Sequence, residues 1–147
     1  MHKVKWFPAL ALLLFLFVGC ESEAQGNENA QPSENGAVAA SVQNVNMDRF
    51  EELTKDEGVQ LLDVRTPGEV AEGMVAGAQH INVHDADFGT RAAAELDKET
   101  PVAVYCKSGG RSARAAQTLV DLGFKTVYNY TGGMSEWKSE GKALETK

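Results

Sequence analysis

Short, largely apolar runs alternate along this chain with stretches in which apolar residues recur every three or four positions. The runs at Gln60–Val64, His80–Val83, Val102–Tyr105 and Thr126–Tyr130 are each bounded by turn-forming or polar residues, and each predicts a short strand. Between them, Phe50 and Leu53 share one face of Met47–Lys55, and Ala115, Ala116, Leu119 and Leu122 share one face of Ser112–Leu122, which predicts two helices. Gly123 closes the second of these as a glycine just past a helix end. Pro67-Gly68 opens a shorter helix over Glu69–Glu72, and Arg91–Leu96 forms another before the break at Pro101. Phe124, Tyr128 and Trp137 read as core, and no internal repeat is present. Strands alternating with helices predict an α/β domain with a parallel sheet. Ligands of such sheets bind beyond the carboxyl ends of the strands. Cys106 stands at one such end, and Asp63 and Arg65 at another, so the two ends face one crevice.

The pattern changes at the amino terminus. His2, Lys3 and Lys5 precede an apolar run from Trp6 to Val18, too short for an ordinary membrane span and suited to a secretory signal over residues 1–19. Its end, Phe17-Val18-Gly19-Cys20, resembles the bacterial lipoprotein signal, in which the cysteine is diacylated and becomes the first residue of the mature protein. Cys20 is therefore the expected lipid-bearing residue, and the chain is expected on a membrane of the bacterial cell envelope, facing the periplasm or exterior. Residues 20–44 carry Glu, Ser, Asn, Gln, Gly and Ala with almost no large apolar side chain, so they predict a flexible tether. A coil of that length spans roughly 25–30 Å. The folded domain is expected over residues 45–145, a size at which one core becomes self-sufficient.

The 147 residues carry a formal net charge of −7. Loss of the signal removes two lysines and no acid, taking the charge to −9 and making nucleic acid an unsuitable partner. Against that background the cations Lys107, Arg111 and Arg114 form a local positive patch suited to a small anion. The chain has two cysteines. With Cys20 lipidated, Cys106 has no partner for a disulfide, and an exported protein that keeps a lone thiol points to use of that thiol.

Cys106 heads the stretch Cys106-Lys107-Ser108-Gly109-Gly110-Arg111-Ser112, where a strand runs through two glycines into a helix. Backbone N–H groups of such a turn converge, and with Lys107 and Arg111 they favour the thiolate. Gly109 and Gly110 are expected where a Cβ would clash. Lys107 and Arg111 would orient the oxyanion end of a substrate, Ser108 and Ser112 would add donors, and Ser112 could cap the helix. Asp63 and Arg65 are expected to support the strand ends by pairing with each other, with Glu69 or with loop amides. His80 and His84 have no further ligands at metal spacing, so neither a metal nor any other cofactor is expected.

Four segments in order carry a resemblance: Leu61-Leu62-Asp63-Val64-Arg65-Thr66-Pro67-Gly68-Glu69, Glu72-Gly73-Met74-Val75-Ala76-Gly77-Ala78, the Cys106 loop, and Gly123-Phe124 through Tyr130 to Gly132-Gly133-Met134 and Trp137. Together they closely resemble a single-domain rhodanese. The resemblance implies a three-layer fold, with a small five-stranded parallel sheet and helices on both faces. It also implies sulfurtransferase chemistry through a Cys106 persulfide, with a small sulfur-containing anion such as thiosulfate as donor and a thiol or cyanide as acceptor. The family's usual Gly-His-Ile-Pro-Gly-Ala is here Gly73-Met74-Val75-Ala76-Gly77-Ala78, in which Met74 is expected to fill an apolar gap. Two rival readings share the fold. Cysteine phosphatases and arsenate reductases use Cys-x5-Arg, one residue longer than the Cys-x4-Arg from Cys106 to Arg111. A non-catalytic envelope binding module would have no need of the loop. A small domain of this charge is expected to be a monomer.

Overall fold

The computed structural model describes residues 40–146. Along them strands and helices alternate: β1 (Ser41–Val45), α1 (Met47–Thr54), β2 (Gln60–Asp63), α2 (Pro67–Ala71), β3 (Gln79–His80), α3 (Phe88–Glu95), β4 (Val102–Tyr105), α4 (Gly110–Asp121), β5 (Thr126–Tyr130) and α5 (Gly133–Ser139). The strands pair in parallel in the order β1-β5-β4-β2-β3, which puts β4 in the middle. This is the five-stranded parallel α/β architecture expected from the resemblance.

Side-chain alternation along the strands builds two cores. Val102 and Val104 of β4 join Leu62, Val127 and the α3 and α4 residues Phe88, Ala92, Ala115, Ala116 and Leu119 on one face. Ala103 and Tyr105 join Leu61, Tyr130 and Phe50, Leu53, Met134 and Trp137 from α1 and α5 on the other. Phe50 centres the second core: its ring stacks on Tyr130 at 4.3 Å and meets Tyr105 and Trp137 edge-on at 5.6 and 5.5 Å. Met74 is fully buried in this core, in the apolar environment expected for it. Phe124 and Trp137 are buried as expected. Tyr128 is not: it is half-buried, and the Arg49 guanidinium lies 5.8 Å from its ring centroid.

Local signals place most boundaries. Asn46 caps α1 by accepting from the Arg49 N–H at 3.1 Å. Gly123, at φ +93°, ends α4 in a Schellman arrangement, its N–H donating to the Val120 carbonyl at 2.9 Å and the Phe124 N–H to Leu119 at 3.1 Å. Several expectations are corrected. The tether does not reach Asn44, because Ser41–Val45 is a strand paired with β5. This edge strand buries only Val45, so its outward polar residues read as coil. The strand expected over His80–Val83 is two residues long and begins at Gln79. The Ile81 and Val83 amides still donate to Asp63 and Val64 beyond it. Helices α3 and α4 begin at Phe88 and Gly110, earlier than the apolar spacing alone predicts. The signal over residues 1–19, lipidation at Cys20 and the tether up to residue 39 lie outside the described residues. Among the described residues no helix is long and apolar enough to cross a membrane.

Glu69 ties two helices together. Within α2 its Oε2 accepts from the Thr66 N–H and hydroxyl at 3.1 and 2.9 Å. Across to α4, both carboxylate oxygens accept from Arg111 at 2.7 Å. The Arg111 contact, with smaller help from Thr66, outweighs burial and lowers the Glu69 pKa to about 2. A carboxylate with a depressed folded pKa stabilises the fold above its unfolded value, and that contribution disappears as pH falls through the folded value. Replacing Glu69 by Gln should therefore cost about 1 kcal/mol of unfolding free energy at pH 7. In urea titrations, the gap between wild type and Glu69→Gln should be constant near neutrality and close progressively from about pH 4.5 towards pH 2. A gap unchanged across that window would show that the carboxylate charge is irrelevant to the clasp.

Candidate active site

Cys106 follows the central strand directly, and the seven residues from Cys106 to Ser112 wrap its sulfur. Gly109 is the turning point. It sits at φ +85°, and a Cβ there would run into the Thr131 carbonyl. Gly110 differs from expectation: it begins α4 with open space around it and needs no glycine on steric grounds. With the chain so turned, the N–H groups of Ser108, Arg111 and Ser112 donate to the Cys106 sulfur. Ser112, expected as an extra donor and also as a cap, lies inside α4 and does not cap it. Its hydroxyl is 3.5 Å from Cys106 Sγ and 3.0 Å from the Gly109 carbonyl oxygen, so its single proton serves one at a time.

These donors set the ionisation of the thiol. Burial on its own would push Cys106 up; the Ser112 hydroxyl and the amides of Ser112, Ser108 and Arg111 outweigh it, and the net shift is downward. The sulfur is all but buried, with Cys106 only 1% exposed.

Turning amides inward leaves carbonyls pointing out, and these find partners on α5. The Met134 N–H donates to the Cys106 carbonyl at 2.8 Å and the Ser135 N–H to the Lys107 carbonyl at 2.9 Å. Gly133, at φ +61°, makes this approach possible, since a Cβ would lie 2.7 Å from the Cys106 and Lys107 carbonyls. Sequence reasoning assigned neither α5 nor Gly133 a role. The signal was available in Gly132-Gly133 after β5, which repeats the strand-glycine-glycine-helix pattern of Gly109-Gly110 after β4.

The cations divide. Arg111, expected at the substrate, spends both terminal nitrogens on Glu69, and that partner comes first among the causes raising its pKa; the Cys106 sulfur adds to the pull. Arg65 is buried and held by Asp63 at 2.6 to 2.9 Å, and it also donates to the Glu69 and Gly73 carbonyls at 3.1 and 2.8 Å. Burial would lower Arg65, and Asp63 more than offsets it. Asp63 and Arg65 thus pair with each other at the end of β2, and the Val64 N–H donates to the Tyr105 carbonyl beside Cys106. Lys107 and Ser108 are exposed on the loop, and Lys107 has no ion-pair partner among the described residues. A cleft of about 110 Å³ opens beside Lys107, walled by Met134, Ser135 and Lys138 of α5 and by Glu72 after α2, with Arg65 and Glu69 also in its lining. Among the described residues no three or more His, Cys, Asp or Glu side chains gather as a metal site.

Comparison with known proteins agrees with this arrangement. The chain is 36% identical over 89 residues to a sulfurtransferase of Allochromatium vinosum, an alignment covering 60% of this chain and 80% of that one. It is 39% identical over 89 residues to the thiosulfate sulfurtransferase GlpE of Pseudomonas putida, covering 60% and 77%. Among solved structures, the rhodanese-like domain protein of Staphylococcus aureus superposes with a TM-score of 0.61 at 30% identity, over 71% of this chain and 98% of that one. Residues 46–140 match the Rhodanese-like domain family, and the chain belongs to it.

Proposed function

We propose that the protein moves sulfane sulfur from thiosulfate or a related anion to a thiol or cyanide through a persulfide on Cys106. One observation carries the reading: the thiol of Cys106 ends the central strand inside converging N–H donors that favour its anion. The Cys106 thiolate attacks the outer sulfur of thiosulfate, a Cys106–sulfur bond forms, and the sulfur–sulfur bond of the donor breaks with its electron pair leaving on sulfite. The product, Cys106–S–S⁻, carries the charge the thiolate had. The same amides hold it, so the charge needs no new partner during transfer. Lys107 is the cation free to meet the oxyanion end of the donor, while Arg111 holds the loop against α2. That tie also argues against a phosphatase. A phosphoryl cradle needs its arginine presented to the phosphate oxygens, and this one presents both terminal nitrogens to Glu69.

The reading extends to the amino terminus. The lipoprotein-like Phe17-Val18-Gly19-Cys20 supports anchoring through a lipidated Cys20 at the cell envelope, with the domain outside the cytoplasm. There, small anions and thiols reach the loop without crossing the inner membrane.

Incubation with thiosulfate followed by desalting should add about 32 Da, one sulfur atom, to the intact mass, and cyanide should remove it as thiocyanate. Cys106→Ser should show no gain. An unchanged wild-type mass, with hydrolysis of p-nitrophenyl phosphate, would instead favour the phosphatase; inertness in both assays would favour the binding module. For the anchor, the wild-type chain expressed in a bacterial host should fractionate with membranes, and Cys20→Ser should move to the soluble fraction. Equal distribution of the two would contradict lipidation.

A further inference from the structure

The cleft beside Lys107 carries charges that the transfer of sulfur from a simple anion, which calls on Lys107 alone, leaves unused. Its lining holds three cations and two carboxylates, and two of these five charges are already committed. Arg65 belongs to Asp63, and Glu69 has both oxygens on Arg111. Three charges remain able to turn to a ligand: Lys107, Lys138 and Glu72. Lys138 Nζ lies 3.2 Å from Glu72 Oε2, with side chains 39% and 69% exposed, joining α5 to the residue after α2. A pair so open to water contributes little to stability, so parting it costs little.

Two ammonium groups and one carboxylate around a small cleft suit a ligand with one of each charge. A bare dianion gains from the lysines but meets the Glu72 carboxylate. A carboxylate-ammonium ligand satisfies both signs, replacing the Lys138–Glu72 contact with two of its own. The cleft also lies against the reacting loop, since Lys107 adjoins Cys106 and the Ser135 N–H is bonded to the Lys107 carbonyl. The apolar Met134 side chain contributes a wall on which a thiol's carbon atoms can rest.

We propose that this cleft selects the acceptor, a small thiol bearing both an ammonium and a carboxylate group, such as cysteine or a short cysteinyl peptide. Lys107 and Lys138 receive the carboxylate and Glu72 the ammonium. The inference rests on the persulfide reading above. In the step, the acceptor's sulfur attacks the outer sulfur of Cys106–S–S⁻ and a new sulfur–sulfur bond forms on the acceptor. The bond to Cys106 breaks with its pair returning to Sγ as thiolate, and the acceptor's thiol proton passes to the departing persulfide. No external oxidant or reductant enters.

The test loads the full chain with thiosulfate, desalts it, and follows loss of the added sulfur by intact mass after mixing with cysteine, cysteamine or 3-mercaptopropionate. Dividing wild-type by variant rates for each thiol cancels that thiol's intrinsic reactivity. Glu72→Gln should slow discharge to cysteine and cysteamine about fivefold while 3-mercaptopropionate is not slowed, and Lys138→Gln should slow cysteine and 3-mercaptopropionate but not cysteamine. Equal factors for all three thiols, or no change in any, would overturn the assignment while leaving the sulfurtransferase reading intact if cyanide still discharges the protein. Failure of the wild-type chain to take up sulfur at all would overturn both.

Discussion

The arrangement depends on a short piece of backbone held with its N–H groups facing inward. Buried sulfur is ordinarily poor at carrying charge, because leaving water disfavours the anion. Here the amides of Ser108, Arg111 and Ser112 replace water around Cys106. Such a loop has to dispose of its carbonyls, and a free loop would have no means of doing so away from solvent. Helix α5 supplies the means: its first N–H groups, which no helical carbonyl can use, bond the Cys106 and Lys107 carbonyls. Gly109 permits the turn and Gly133 permits the approach, so the two positive-φ glycines are parts of one device.

The charged residues around the loop act mainly as struts. Arg65 and Asp63 form a buried, multiply bonded pair beneath the strand ends, and such pairs define geometry more than they add stability. Their position follows from register, because Asp63 lies opposite Tyr105 on the neighbouring strand, one residue before the reacting cysteine. Arg111 clamps the first turn of α4 to α2 through Glu69. A guanidinium held by two bonds in a plane stays where it is put, while an unpaired lysine can follow a ligand. That difference suits the arginines to rigidity and, in the function proposed above, leaves Lys107 as the group able to meet a ligand.

Much of this was legible from residue order. Strand runs at β2, β4 and β5, helix α1, the Gly123 stop and the glycine turn after Cys106 each carry a local physical signature, and they fell where expected. What escaped depends on partners far away in sequence. β1 is polar on its outer side and becomes a strand only because β5 offers hydrogen bonds to it. Arg111 next to a reactive cysteine reads as a substrate contact until Glu69, 42 residues earlier, is seen to occupy it. Gly110 looked equivalent to Gly109, yet only the latter faces the Thr131 backbone, and adjacent glycines do not say which of them a Cβ would obstruct. Ser112 was legible as a donor but not as an interior residue of the helix, because α4 begins at Gly110, two residues before Ser112, whereas a cap at Ser112 requires the helix to begin after it.

The most direct measurement is the rate at which iodoacetamide alkylates Cys106 as a function of pH, followed at that residue by peptide mass spectrometry. If the converging amides and the Ser112 hydroxyl hold the thiolate, the profile has its midpoint below the value of about 8.5 for free cysteine, and Ser112→Ala moves it upward. A midpoint at or above that of free cysteine, unmoved by Ser112→Ala, would contradict the account at its foundation.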